Sequence, residues 1–413
     1  MEHGSTPDSL APLDLEQAYH NDPAAFRVWL DATFAAQPES VLLQAWHARL
    51  HYQEHLRPQT ANNSLLYTVL IATLAWAFAK LPAYVTLEAE WFYPRFIPFA
   101  VIAGLVSWFM VNHPRDRKLM LQGSGALGAL LAVLLLLPHD FGSDSVIMAL
   151  IHLPLLLCSI LGYVFGAGRW RDINQRVGYI RYGGEMLILA ALVLAGGGVL
   201  TALTLALFNV IGIELSEWFF EYVVLWGGMS APLVATWLWD QVLQRQSRLA
   251  PMIANVFSPL FLLMTLAYLL ALLSEQRSPF EDREFLIVFN ALLLIVWAIT
   301  VFSVIGRGDR PSRLLDLTNL SLVAVTLVID SIALAAILYR TAEFGITPNR
   351  VAVTGANLLI FVHLVWILVE YLKAFQRGGS AQVLTTTIAR YLPVYTGWAL
   401  FVVLLLPLLF SFA

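Results

Sequence analysis

The sequence predicts an all-α fold, a polytopic membrane bundle of about 11 transmembrane helices with a short helical N-terminal segment in the cytoplasm. The first observation is composition, since 59% of the 413 residues are hydrophobic and only 13% are charged, against about 25% charged in a soluble domain. The second is a series of long apolar runs joined by connections too short to hold a second folded domain. The third is the alternating placement of Lys and Arg between these runs. The bilayer is therefore the expected partner, and the net charge of -4 without any basic run predicts no nucleic-acid partner.

Residues 1 to 63 are polar and helix-patterned, and Pro23 and Pro38 stand where the first turn of a helix accepts proline. We expect two or three short helices outside the bilayer in this segment, with residues 64 to 413 forming the transmembrane domain. Several aromatic side chains of the segment are suited either to docking a cytoplasmic protein partner or to packing its own helices together: Phe26, Trp29, Phe34, Trp46 and Tyr52.

Three histidines of the same segment, His47, His51 and His55, recur every four residues. This spacing presents imidazoles on one helix face, but no carboxylate or cysteine completes a set of metal ligands nearby. We therefore predict a solvated face, no metal site and no cofactor. The single cysteine, Cys158, lies in an apolar run and excludes both an intrachain disulfide and a cysteine-based metal cluster.

Eleven apolar runs are long enough to cross about 30 Å of hydrocarbon as helices. They span residues 65 to 85, 92 to 112, 119 to 138, 146 to 167, 186 to 212, 218 to 239, 252 to 273, 285 to 306, 315 to 338, 351 to 372 and 391 to 412.

The cationic residues predict the orientation of the chain. If the N-terminus lies inside, only six of the 24 Lys and Arg residues fall on the outer side, and they are Lys80, Arg95, Arg277, Arg283, Arg340 and Arg350. Because cytoplasmic connections carry the excess of positive charge, we predict a cytoplasmic N-terminus and a C-terminus outside.

The stretch from 312 to 371 holds the densest set of polar residues within apolar runs. Asp316, Asn319, Thr326 and Asp330 fall within a sector of roughly 80° on one helix. A carboxyl group deep in the bilayer costs about 2.5 kcal/mol or more on insertion scales. We therefore expect Asp330 to face the interior of the bundle and to have a polar partner there.

The next helix carries Asn357 and His363, and Asn290 of an earlier run reaches about the same depth as Asp330. Asn290 and Asn357 are the partners that we predict for Asp330. Two interpretations stay open for these groups, namely hydrogen bonds that hold helices together and a site for a proton, an ion or a substrate. The candidate intramembrane site comprises Asp330, Asn357, Asn290, His363, Asp316 and Asn319.

A second polar cluster lies between two runs and contains Arg169, Arg171, Arg176 and Arg181. It fits either an anchor at the inner lipid surface or a headgroup-binding site of a lipid-modifying enzyme. The chain has no GxSxG or HExxH motif and no paired-Asp motif at catalytic spacing, so no catalytic residue is predicted and an enzyme is not favoured.

The run from Phe344 to Asn357, FGITPNRVAVTGAN, preceded by Asp330-Ser-Ile-Ala-Leu, resembles the bacterial integral-membrane proteins grouped as domain-of-unknown-function family 4153. The resemblance implies a many-helix protein of the bacterial cytoplasmic membrane without an established activity. It supplies no catalytic residues.

Three function classes follow from these patterns. The first is a transporter or permease with a polar site among the C-terminal helices. The second is a membrane sensor, scaffold or assembly factor that acts through residues 1 to 63. The third is a lipid-modifying membrane enzyme that uses the arginine cluster.

Overall fold

The computed structural model describes residues 12–55, 61–112, 116–138, 142–215, 217–274, 283–306, 313–377 and 381–412. No strand occurs among these residues, so the predicted all-α class is confirmed. The chain divides into two compact units, residues 1–65 and residues 66–413.

The N-terminal unit contains three helices, α1 (Pro12–Asn21), α2 (Pro23–Ala36) and α3 (Val41–His55). Helix α2 begins where the sequence predicts, because the Asp22 carboxylate accepts a hydrogen bond from the Ala25 amide at 3.0 Å and proline occupies the first helical position. The buried core of this unit consists of Leu15, Phe26, Leu30, Leu43, Trp46 and Leu50.

The aromatic residues of this unit contribute to its own packing. The rings of Phe26 and Trp46 are both buried and meet edge to face at 5.1 Å. Trp29 and Phe34 are partly buried against the same core. The side chain of Tyr52 lies outside the described residues.

The ring of His47 stacks on Phe34 at 4.2 Å, and its Nε2 lies 3.8 Å from Asp31. The side chains of His51 and His55 lie outside the described residues. Within the part of the chain that the structure describes, no three His, Cys, Asp or Glu residues converge as metal ligands.

The second unit is a bundle of long helices, with short helices at its two ends. Their bounds are α4 (Ala61–Ala79), α5 (Leu81–Tyr84), α6 (Ala89–Asn112), α7 (Arg117–Leu136), α8 (Asp144–Phe165), α9 (Ile173–Val210), α10 (Leu225–Trp237), α11 (Leu249–Ser274), α12 (Arg283–Ile305), α13 (Arg313–Phe344), α14 (Pro348–Arg377), α15 (Ala381–Leu400) and α16 (Leu406–Leu409). Three π-helical stretches extend these helices, Phe219–Val224 before α10, Leu238–Val242 after it and Phe401–Leu405 after α15.

Ten helices in the described part of the chain are long and apolar enough to cross a membrane, and Asn63–Ala79 is a shorter apolar helix. The chain is therefore a multi-pass membrane protein. The first predicted run, 65 to 85, is not one continuous helix, because α4 ends at Ala79 and the short α5 follows with Pro82 in its first turn. The break occurs at Lys80, whose ammonium group donates a hydrogen bond to Glu221 at 2.7 Å.

Helix α9 is longer than the sequence predicts. Its 38 residues extend for about 57 Å, and the predicted run 186 to 212 leaves out its first 13 residues, 173 to 185. Asp172 caps its start by accepting a hydrogen bond from the Asn174 amide at 2.9 Å. The buried residues of α9 lie between Arg176 and Ala190, and no residue from 191 to 210 is buried.

Several long-range contacts join segments that the span count places on the same side of the membrane. Lys80 contacts Glu221, Arg95 donates to the Pro138 carbonyl at 2.7 Å, and Arg181 donates to a carbonyl at the end of α12. Such contacts are expected if every intervening run crosses the bilayer once.

Candidate functional site

The polar face of α13 points into the bundle. Asn319, Thr326 and Asp330 are all buried, and Asp316 lies half-buried in the first turn of the helix. The prediction that Asp330 faces the interior is confirmed.

Asn319 joins three helices through a chain of hydrogen bonds. Its Nδ2 donates to Ser303 of α12 at 2.7 Å, and Ser258 of α11 donates to its Oδ1. Ser303 in turn donates to Asn255 of α11 at 2.6 Å. Because each group is satisfied by a side chain from a neighbouring helix, Asn319 serves to hold α11, α12 and α13 together.

Asp330 does not have the partners predicted from the sequence. Asn357 donates to Asn290 at 2.7 Å, so the two asparagines pair with each other. The buried Oδ2 of Asp330 has no hydrogen-bond partner among the described residues, and neither has the hydroxyl of Thr326, one turn earlier. The prediction of these partners is wrong because α12 and α14 pack with their polar groups facing each other instead of α13.

His363 of α14 is buried among aromatic side chains. The indole N–H of Trp297 donates to its Nδ1 at 3.1 Å, and the hydroxyl of Tyr395 lies 2.9 Å from the same atom. The ring stacks on Tyr391 with centroids 4.3 Å apart. Because an indole N–H can only donate, Nδ1 is the acceptor. His363 thereby fixes the positions of Trp297 and Tyr395.

These two aromatic residues line an apolar cavity of about 540 Å³ bounded mainly by α8, α12, α14 and α15. Asn290 and Asn357 form part of its wall, whereas Asp330, Asn319 and Asp316 do not. Much of the remaining lining is apolar, and we call this space the apolar cavity. The structure thus brings together Asn290 and Asn357 from the predicted site, with His363 behind the wall.

A second cavity of about 460 Å³ adjoins the first and shares Asn290, Asn349 and Val353 with it. Its lining includes Arg340 and Arg350. We call it the charged cavity. A sequence-based search for intramembrane polar residues missed both arginines because they lie at helix ends. In the sequence they stand out only as two of the six cations predicted to lie on the outer side.

The turn between α13 and α14 places Arg350 at the charged cavity. Gly345 adopts a left-handed conformation with φ +82°, which glycine tolerates best. Thr347 then caps α14 by accepting a hydrogen bond from the Arg350 amide at 3.3 Å, and Pro348 begins the helix. The Arg350 guanidinium folds back and donates to the Gly345 carbonyl at 2.5 Å.

Arg340, in the last turns of α13, reaches the charged cavity from the other side of this turn. It is half-buried, and its Nη1 is buried without a hydrogen-bond partner among the described residues. A buried guanidinium nitrogen without a partner is costly and therefore marks a place where an acceptor is favoured.

The four arginines of the cluster near the start of α9 differ in their exposure and in their contacts. Arg169 and Arg171 are exposed. Arg176 donates to the carbonyl of Trp170 at 2.5 Å, and Arg181 donates to the Ile305 carbonyl at the end of α12 at 3.5 Å. Two of the four predicted headgroup ligands thus already contact main-chain carbonyls.

Glu185 of α9 contacts the end of another helix. It is fully buried and accepts a hydrogen bond from the Ala250 amide, in the first turn of α11, at 2.9 Å. A carboxylate at a helix N-terminus and a guanidinium at a C-terminus both complement the helix dipole. Helix α9 therefore fixes the ends of α11 and α12, which sequence spacing alone did not reveal.

No protein-family model, curated protein or solved structure matches the chain. The resemblance to domain-of-unknown-function family 4153 stays a prediction.

Proposed function

We propose that the protein is a permease whose substrate site is the apolar cavity between α8, α12, α14 and α15. The observation that carries the proposal is the pair of adjoining cavities within the helix bundle. Substrate sites are concave, mostly apolar and of about 300–1,000 Å³, with a few polar groups that fix orientation. The amides of Asn290 and Asn357 are suited to that orienting role.

The proposed site keeps three residues of the predicted polar site and adds two others. Asn290 and Asn357 contact the substrate, and His363 positions Trp297 and Tyr395 in the wall. Asp330 lies elsewhere on the inner face of α13 and is not part of the cavity lining. Substrate passage therefore does not require the Asp330 carboxyl group.

Flux through proteoliposomes tests the proposal. Short-chain fluorescent amphiphiles with phosphate, carboxylate, ammonium or hydroxyl heads serve as probes, and an impermeant reductant added outside reports how much probe reaches the outer leaflet. We expect at least one head class to cross faster than in protein-free vesicles. Failure of all four would refute the permease.

A cavity-filling variant shows whether the flux uses this site. Ala356 lines the apolar cavity, and Ala356→Trp should strongly reduce the flux because the indole occupies part of the space that the substrate needs. Ala335→Trp is the matched control, since Ala335 is exposed on the outside of α13. Equal flux through both variants would exclude the apolar cavity as the route.

We also propose, on the strength of the cationic residues, that the N-terminal unit lies in the cytoplasm and the C-terminus outside. The resemblance to family 4153 is what supports a bacterial cytoplasmic membrane. Reporter fusions after Asp144 and Arg283 should then report the outer side, and a fusion after Arg171 the inner side. A reversed reading at all three would invert the orientation.

A sensor or scaffold is the second candidate function, and it is favoured by the separate compact unit of residues 1–65. Deletion of residues 1–60 distinguishes the two candidates. A permease should retain flux without this segment, whereas a scaffold should lose its partner and leave the membrane unit folded. A lipid-modifying enzyme has less support, because Arg176 and Arg181 already donate to main-chain carbonyls.

A further inference from the structure

Three helices line the two cavities with regularly spaced residues, so that the cavities form one groove along the helix axes. Helix α12 contributes Ile287, Asn290, Leu294 and Trp297, which recur at intervals of three and four residues. This spacing keeps them on one face of the helix. Helices α8 and α14 contribute similar rows, Met148, Ile151 and Leu155 from the first and Asn349, Val353, Ala356 and Ile360 from the second.

The apolar part of the groove reaches the outer surface of the bundle. Ile151 and Leu155 of α8 and Leu294 of α12 line the apolar cavity, yet they are 59%, 55% and 53% exposed. In a membrane-spanning bundle, apolar side chains on the outer surface face lipid chains. An acyl chain therefore has access to the groove between α8 and α12.

The charged end of the groove attracts an anion. Arg340 and Arg350 line it, and the carboxylate among the described lining residues is that of Asp144, which is exposed in the first turn of α8. The net charge of these three groups is positive. Guanidinium groups bind phosphate oxygens through two parallel hydrogen bonds, and the buried Nη1 of Arg340 offers a donor that no described residue uses.

We propose that the groove binds an anionic phospholipid taken from the surrounding bilayer, with its phosphodiester at Arg340 and Arg350 and one acyl chain along the apolar cavity. The inference rests on the proposed function in that it names the substrate class of the same cavity. The arrangement explains why a charged end and an apolar end are continuous, since only an amphiphile satisfies both. The orientation predicted from the sequence makes this a lipid of the outer leaflet.

Native mass spectrometry of the full-length protein in detergent tests this proposal. The protein is titrated with phosphatidylglycerol and with phosphatidylcholine that carry identical acyl chains. Both lipids offer a phosphodiester to the arginines, but only phosphatidylcholine also carries a quaternary ammonium, which the two guanidinium groups repel. We therefore expect phosphatidylglycerol to bind about tenfold more tightly. Equal binding of the two lipids would overturn the proposal.

Charge-matched variants show where the lipid binds. Arg340→Gln and Arg350→Gln should each reduce phosphatidylglycerol binding to the level of phosphatidylcholine. Arg171→Gln removes the same charge from the exposed arginine cluster and should leave binding unchanged. An equal loss in Arg171→Gln would assign the lipid to that cluster instead and overturn the groove.

A cavity variant and a competition experiment complete the test. Ala356→Trp leaves both arginines intact and should weaken phosphatidylglycerol binding by obstructing the acyl chain, so the test does not depend on the arginine variants folding. Competition by oleate as effective as that by phosphatidylglycerol would show a free carboxylate amphiphile instead of a phospholipid. Tight lipid binding without flux would refute the permease alone, whereas flux without a lipid preference would refute this inference alone.

Discussion

Substituting leucine at two positions on the buried face of α13 should have different effects on stability. Asn319 and Asp330 lie on the same buried face, but Asn319 is hydrogen-bonded to Ser258 and Ser303, whereas the buried Oδ2 of Asp330 has no partner among the described residues. A hydrogen bond between membrane helices contributes about 0.6 kcal/mol on average and at most about 1.7 kcal/mol. Asn319→Leu loses two and should destabilise the bundle by about 1–3 kcal/mol.

Asp330→Leu removes a buried polar group that no neighbour satisfies. An unsatisfied buried group costs about 1–3 kcal/mol, and its replacement by an apolar group of similar shape is neutral or stabilising. We therefore expect Asp330→Leu to leave the free energy of unfolding unchanged or to raise it by up to about 2 kcal/mol. Insertion into the membrane should also improve, because a central Asp disfavours it.

Unfolding in mixed detergent micelles, followed by the loss of helical circular dichroism, measures both variants. Ser331→Leu is the control, because Ser331 is the exposed neighbour of Asp330 and its hydroxyl donates to the Leu327 carbonyl of the same helix. Destabilisation by Asp330→Leu to the extent seen for Asn319→Leu would refute this reasoning and mean that the carboxyl has a partner. If Asp330→Leu kept its stability but lost flux, the Asp330 carboxyl would take part in transport.

Three further predictions concern other parts of the chain. Leu30→Ala should destabilise the N-terminal unit by about 2–5 kcal/mol, since Leu30 is fully buried there; faster proteolysis of residues 1–55 in the full-length protein would show it. The hydrogen bond from Arg49 holds the pKa of Glu16 below its usual value of 4.5, so this pair stabilises the unit above that pH and ceases to do so as the pH falls through the folded-state pKa. Proteolysis at neutral and acidic pH should therefore differ less in Arg49→Gln than in the parent, and an unchanged difference would count against the pair. Arg181→Gln should weaken the end of α12 by about 0.3–1 kcal/mol, seen as faster amide exchange near Ile305 and nowhere in the N-terminal unit.

The sequence was sufficient to predict the class of the fold and the direction of the α13 polar face. Both follow from rules that act within one helix, because a bilayer demands apolar length and a buried carboxyl must face inward. The break at Lys80 was not predicted, since the hydropathy of the run from 65 to 85 does not reveal that its lysine contacts Glu221.

The contacts between helices could not be predicted in the same way. Periodicity fixes which residues share a face of one helix but not how two helices are rotated toward each other, so Asn290 was assigned to Asp330 although it pairs with Asn357. The two arginines of the groove were likewise visible only as charges. Their convergence depends on a tight turn that brings the end of α13 beside the start of α14.

The two halves of helix α9 differ in burial. Its last 20 residues, 191 to 210, contain no buried residue, and a helix of that length spans about 30 Å, the thickness of the hydrocarbon layer. Lipid chains are as apolar as leucine, so exchanging one exposed apolar side chain for another there should change stability little. The second half should therefore tolerate substitutions that keep it apolar and keep its length. In the first half, by contrast, the buried residues pack against neighbouring helices, and substitutions there should change that packing.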